Sequence, residues 1–110
     1  MRILITGGAG FIGSSLIPEL KKCGHDIFVI DNLSFGKRHL AEVSDSFFSK
    51  IDLRDIDKVE SIFKKFKPDW ILHLAAIHFI PYCNNNPLET VDVNIKATLG
   101  LLNVARKYKN

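Results

Sequence analysis

RILITGGAGFIG (Arg2 to Gly13) joins a short apolar run to four glycines, Gly7, Gly8, Gly10 and Gly13, within seven residues, and a helical pattern follows at once. Glycine weakens a regular element by roughly 0.5–1 kcal/mol per position relative to alanine. A cluster of them between a strand and a helix therefore calls for a reason, and the rest of the chain supplies it.

Residues 2–6 (RILIT) predict a first strand. Ile12, Leu16, Leu20 and Cys23 then share one helical face, Gly24 is a stop signal, and Pro18 removes one backbone bond inside that helix. Residues 27–30 (IFVI) predict a second strand, and a short helix is expected near 38–43. Residues 47–51 (FFSKI) predict a third strand, and Ile56, Val59, Phe63 and Phe66 the face of a helix that Pro68 ends. Residues 69–75 (DWILHLA) predict a fourth strand, apolar enough to be buried on both faces. Asn86, Pro87 and Glu89 form a capping signature for a last helix with Leu88, Val91, Ile95, Leu99, Leu102 and Ala105 as its apolar face.

Strands alternating with helices give right-handed crossovers and a parallel sheet covered on both sides. The expected class is α/β, a doubly wound sheet of Rossmann type with strand order 3-2-1-4 and a crevice where the winding reverses, between strands 1 and 4. The glycines fall at that crevice. A helix N-terminus there offers unpaired N–H groups and a positive dipole end to a pyrophosphate, provided the backbone can come close. Gly7 allows the tight turn, Gly10 leaves room for the phosphates, and Gly13 lets helix and strand pack. Asp31 stands at the end of strand 2, 24 residues beyond Gly7. Its carboxylate suits the adenosine ribose hydroxyls and repels a 2′-phosphate, which favours NAD over NADP. Lys37 and Arg38 are bases close enough to complicate that choice.

Composition narrows the classes. The 110 residues are 46% hydrophobic and 25% charged, ordinary for a soluble domain, and the net charge is +3. No basic stripe interleaved with aromatics appears, so nucleic acid is not expected as a partner. No apolar stretch approaches the ~20 residues of a membrane span. Met1 and Arg2 run straight into a core strand without a signal peptide, and Cys23 and Cys83 stand apart without metal spacing. A cytoplasmic protein with two reduced thiols and no metal is expected.

TGGAGFIG at 6–13, DNLSFG at 31–36, DLRD at 52–55, HLAA at 73–76 and Asn94 in the helix that follows occur in order. Together they resemble the extended short-chain dehydrogenase/reductase family, in its NAD-dependent epimerase/dehydratase branch of the UDP-glucose 4-epimerase kind. The resemblance covers essentially the whole chain. It implies that Phe11 and Ile12 lie under the pyrophosphate. It places Asp31 and Asn32 on the adenosine ribose, and Leu33, Ser34, Phe35 and Gly36 along the path to the phosphates. It gives Asp52 the adenine amine and the Leu53 backbone the ring nitrogens. Leu74, Ala75 and Ala76 would meet the nicotinamide ribose, His78 would add a ribose contact, and Asn94 would support the active-site backbone and touch the cofactor. His73, inside the strand, reads as a structural histidine. Asp52 read alone is equally a strand-end turn residue, and Leu74 to Ala76 equally core. Ala97 stands where the family usually has a glycine.

The same resemblance implies a catalytic Tyr-x-x-x-Lys, which these residues lack: Asn86 follows Tyr82 at that spacing, and Tyr108 is too near the last residue. No catalytic residue is therefore assigned. The expectation is an N-terminal, NAD-binding portion ending before strand 5, inactive alone, from a nucleotide-sugar epimerase that passes hydride from sugar to NAD and back. A dehydratase portion or a non-catalytic NAD-binding module are the alternatives. A nucleotide sugar is expected only with a longer form, and the last helix allows a homodimer.

Overall fold

The computed structural model describes residues 1–108. Four parallel strands, β1 (Arg2–Thr6), β2 (Asp26–Ile30), β3 (Phe48–Ser49) and β4 (Trp70–His73), lie in the order β3-β2-β1-β4. The connections are α1 (Phe11–Lys22), the 3₁₀ turns Arg38–Leu40 and Asp45–Phe47, and α2 (Ile56–Phe66). After β4 come α3 (Ile80–Asn85), α4 (Pro87–Val91), a π-helical turn (Asp92–Lys96) and α5 (Ala97–Lys107).

β1 sits at the centre. In register it sets Ile3 beside Ile27 and Trp70, and Thr6 beside Ile30 and His73. Its side chains alternate between the two faces, as the period of a strand requires. Ile3 and Ile5 join Ile27, Val29 and Ile17 under α1, while Leu4 joins Ile30, Val59, Phe63, Leu101 and Val104 under α2 and α5. Each fully buried Ile or Leu contributes roughly 1.5–3 kcal/mol of apolar transfer. The doubly covered sheet predicted from the alternation of elements is the one found.

Several details differ from the sequence expectation. The third strand is two residues long: the Asp45–Phe47 turn takes Phe47, and the pairing with β2 ends at Ser49, leaving Lys50 and Ile51 outside it. The fourth is four residues at the edge of the sheet, and its burial is partial, with Trp70 exposed. In α1 the buried positions are Gly13 and Ile17, and Ile12 and Cys23 are exposed. The helix runs through Pro18. The last helical stretch packs through Ala97, Leu101 and Val104, leaving Leu88, Val91, Ile95, Leu99 and Leu102 in solvent. The capping box also gives way: Asn86 Nδ2 donates to the Tyr82 carbonyl at 3.1 Å, and Glu89 accepts the Tyr82 hydroxyl at 2.7 Å.

Candidate functional site

A cleft of about 640 Å³ opens at the C-terminal ends of β1, β2 and β4. Its floor is the glycine turn. Gly7 has φ +70°, and a Cβ there would lie 2.6 Å from the Ala75 backbone nitrogen, so β1 and β4 approach each other only over a glycine. A Cβ on Gly13 would run into the Gly8 carbonyl; Gly13 fixes helix to loop and does not itself line the cleft. A Cβ on Gly10 would meet only the Gly7 carbonyl oxygen, at 3.4 Å, so the space above Gly10 is the cleft itself. Gly10 is the N-cap of α1, and the first turn, with no acidic side chain, presents its N–H groups toward that space. Phe11 and Ile12 border it, both exposed.

Asp31 closes the β2 side. It is only 8% exposed, yet its carboxylate is held entirely by backbone donors, Ala9 N–H to Oδ2 at 3.0 Å and Leu33 N–H to Oδ1 at 2.8 Å. Each oxygen keeps acceptor capacity toward the cleft. Leu33 takes φ +60° to make this turn, and its side chain packs into the core under α1 instead of lining the cleft. Asn32, Ser34, Phe35 and Gly36 line it, with Gly36 pressed against the Ala9 carbonyl.

Asp52 and Leu53 form the far wall. Arg54 grips Asp52 through Nε on Oδ1 at 3.0 Å and Nη2 on Oδ2 at 2.7 Å. That charge-assisted fork holds the Asp52 carboxyl at about 2, well below its ordinary value, against the opposing effect of partial burial.

Leu74, Ala75, Ala76 and His78 line the β4 side. They are supported by a directed chain of bonds. Thr98 Oγ1 donates to the Asn94 carbonyl at 2.8 Å, so toward His73 it acts as acceptor, and His73 Nε2 lies 2.9 Å away. The proton thus assigned to Nε2 makes Nδ1 the acceptor for Thr6 Oγ1 at 2.6 Å, and Thr6 in turn accepts Ala75 N–H at 3.3 Å. His73 is the structural residue expected, and burial pushes its pKa down. Asn94 turns its side chain to the chain itself: Oδ1 accepts Ile77 N–H and Nδ2 donates to the Ile77 carbonyl, both at 2.8 Å. It sits in the π-helical turn and braces the loop from behind, outside the cleft lining.

The cleft also includes residues that sequence reasoning missed: Ile30, Ile51, Ile77, Phe79, Tyr82, Glu89 and Val93. Tyr82 on α3 and Glu89 on α4 meet across the break between the two helices at Asn86, which no local pattern in the sequence announces. The Tyr82 ring also meets Phe35 edge-on, with centroids 5.3 Å apart. Among the described residues, no cluster of His, Cys, Asp or Glu is arranged to hold a metal, and no helix is long and apolar enough to cross a membrane.

The residues present suit a dinucleotide: an open backbone cradle at Gly10, uncapped N–H groups above it, and a buried carboxylate beside it. Comparison with known proteins points the same way. The chain is 41% identical over 110 residues to UDP-glucose 4-epimerase from Mycolicibacterium smegmatis, matching 96% of this chain and 35% of that protein. It is 38% identical over 114 residues to dTDP-glucose 4,6-dehydratase from Haemophilus influenzae, matching 98% of this chain and 34% of that protein. The crystal structure of Thermus thermophilus UDP-glucose 4-epimerase in complex with NAD superposes with a TM-score of 0.90 at 39% identity, over 98% of this chain and 34% of that one. The chain thus spans about a third of the length of the curated relatives it matches. The model of the NAD-dependent epimerase/dehydratase family matches residues 3–110, and the chain belongs to that family.

Proposed function

We propose that these residues form the NAD-binding part of a nucleotide-sugar epimerase of the UDP-glucose 4-epimerase kind. The observation that carries the reading is the buried Asp31 carboxylate, fixed by Ala9 and Leu33 beside the Gly10 cradle. In this reading the N–H groups at Phe11 and Ile12 receive the pyrophosphate. Asp31 and Asn32 accept from the adenosine ribose, and Asp31 repels a 2′-phosphate. Asp52 accepts from the adenine amine and Leu53 offers its backbone. Leu74, Ala75 and Ala76 give the nicotinamide ribose a close, small-residue wall, and His78 adds a polar contact. Bound there, NAD supplies a group that accepts a hydride and returns it. The chain's own residues bind and orient; the 110 residues contain no Tyr-x-x-x-Lys, and we assign them no turnover by themselves.

The whole of 1–110 is one NAD-binding domain in this reading, in a cytoplasmic protein whose nucleotide sugar is held by a longer form. The exposed stripe Leu88, Val91, Ile95, Leu99 and Leu102 supports a homodimer. A dehydratase is the second reading, favoured by the dTDP-glucose 4,6-dehydratase relatives at similar identity.

Isothermal titration of the chain with NAD and with NADP tests the proposal. Binding of NAD, at least about tenfold tighter than NADP, is expected. A chain that binds neither dinucleotide overturns it. Epimerase or dehydratase turnover by these residues alone would overturn the assignment of binding without catalysis.

A further inference from the structure

We propose that Arg54 is a positioning residue for purine recognition, acting through Asp52. The inference rests on the reading of the cleft as an NAD site. A carboxylate offers about two acceptor positions on each oxygen. On Asp52, Oδ1 accepts both the Arg54 backbone N–H at 2.9 Å and Arg54 Nε at 3.0 Å, so both of its positions are taken by one residue. Oδ2 accepts Arg54 Nη2 at 2.7 Å and keeps one position, toward which Asn32 Nδ2 points from 3.4 Å, longer than a good hydrogen bond. The Asn32 carboxamide therefore holds an NH₂ group where an aminopurine would place its own. Only one oxygen of Asp52 is left to read a ligand, and Arg54 decides which one.

The guanidinium is braced from its other side too. Arg54 Nη2 lies 3.9 Å from Glu89 Oε1, and Glu89 Oε2 takes the Tyr82 hydroxyl. The Tyr82 ring rests on Phe35, which shares a loop with Asn32. The chain of contacts returns to its start around the cleft wall, so Asp52 is held in one orientation. An ionised carboxylate only accepts, so in that orientation it binds the 6-amine of adenine and repels the 6-carbonyl of hypoxanthine.

The test is calorimetric titration of the 110-residue chain with NAD and with nicotinamide hypoxanthine dinucleotide, for the parent, Arg54→Met and Arg54→Lys. The parent is expected to prefer NAD by at least about tenfold. Arg54→Met is expected to cut that preference by about tenfold, with little change in affinity for the hypoxanthine dinucleotide. Arg54→Lys keeps a charge without the fork and is expected to recover only part of it. Equal weakening of both dinucleotides by Arg54→Met, or full recovery by Arg54→Lys, overturns the proposal. Equal binding of the two dinucleotides by the parent overturns it while leaving the NAD reading intact. Binding of neither removes the NAD reading and this inference together.

Discussion

The backbone N–H of Ala9 donates to Asp31 Oδ2 at 3.0 Å, a buried bond between the glycine turn and the end of β2, 22 residues apart in the chain. It ties the two halves of the cleft to each other before any ligand arrives. The residue proposed to select the ribose also fixes the turn proposed to hold the phosphates. Binding and folding are therefore coupled at this carboxylate.

Asp31→Asn exposes that coupling. The side chain keeps one acceptor oxygen but turns an NH₂ group toward either the Ala9 or the Leu33 N–H. A buried donor facing a donor costs about 1–3 kcal/mol. Urea denaturation should show that loss, and titration should show NAD affinity reduced with the preference over NADP narrowed. Unchanged stability would mean that the two backbone bonds contribute nothing to folding.

Two glycines of the same turn should separate by role. Gly7→Ala places a Cβ at φ +70° and 2.6 Å from Ala75 N, and should destabilise the fold by about 1–3 kcal/mol. At Gly10 a Cβ clears the fold, 3.4 Å from the Gly7 carbonyl oxygen, and Gly10→Val should fill the cleft instead. Its melting temperature should stay near that of the parent while NAD binding is lost. Parent-like NAD affinity in Gly10→Val would remove Gly10 from the site.

The parallel sheet was legible because strands and helices alternate along the chain and RILIT and IFVI are short continuous apolar runs, and β1 and β2 bury both faces as such runs imply. Face assignment in the helices was not. Residues 11–23 carry apolar side chains on two overlapping faces, and the close approach of Gly13 to Gly8 chose Ile17 over Ile12. The last helix likewise has two apolar stripes, and the smaller one, Ala97, Leu101 and Val104, fits against α2 and the sheet. In the site, most residues of the contiguous motifs line the cleft, but Gly13 and Leu33, in the same motifs, pack elsewhere. Tyr82 and Glu89 were not readable, since their pairing depends on how the chain breaks at Asn86. Asn94 was expected from the resemblance both to brace the backbone and to touch the cofactor; its side chain is bonded to Ile77 and lies outside the cleft lining, which only the fold reveals.

The exposed stripe on the last helix gives a third prediction. Leu99 and Leu102 are each 58% exposed, whereas Leu101 between them is 3% exposed. Leu99→Lys with Leu102→Lys should leave stability within about 0.5 kcal/mol and shift the chain from dimer to monomer in light scattering. Leu101→Ala should cost about 2–5 kcal/mol of folding and serves as the contrast. A parent chain that is monomeric at high concentration would end the dimer proposal.

The pH dependence of stability should show two acid-side losses with different owners. His73 is held neutral by burial and by the directed chain from Ala75 to Asn94, so its folded pKa lies below the ordinary 6.5. Between those two values the unfolded chain binds the extra proton, so stability is fully present above pH 6.5 and falls as the pH drops below it. Asp52 and Glu60 are both held at about 2, Asp52 mainly by the Arg54 fork and Glu60 mainly by Lys107 and then Tyr108. Their contribution is present above the ordinary values of 3.8 and 4.5 and is lost as the pH falls from there toward 2. Urea midpoints taken from pH 8 to pH 3 should therefore decline in two windows. His73→Gln should abolish the first decline and leave the second, because Gln bonds one of the two hydroxyls without titrating. His39 and His78 are exposed, and persistence of the first decline in His73→Gln would move its origin from His73 to another group.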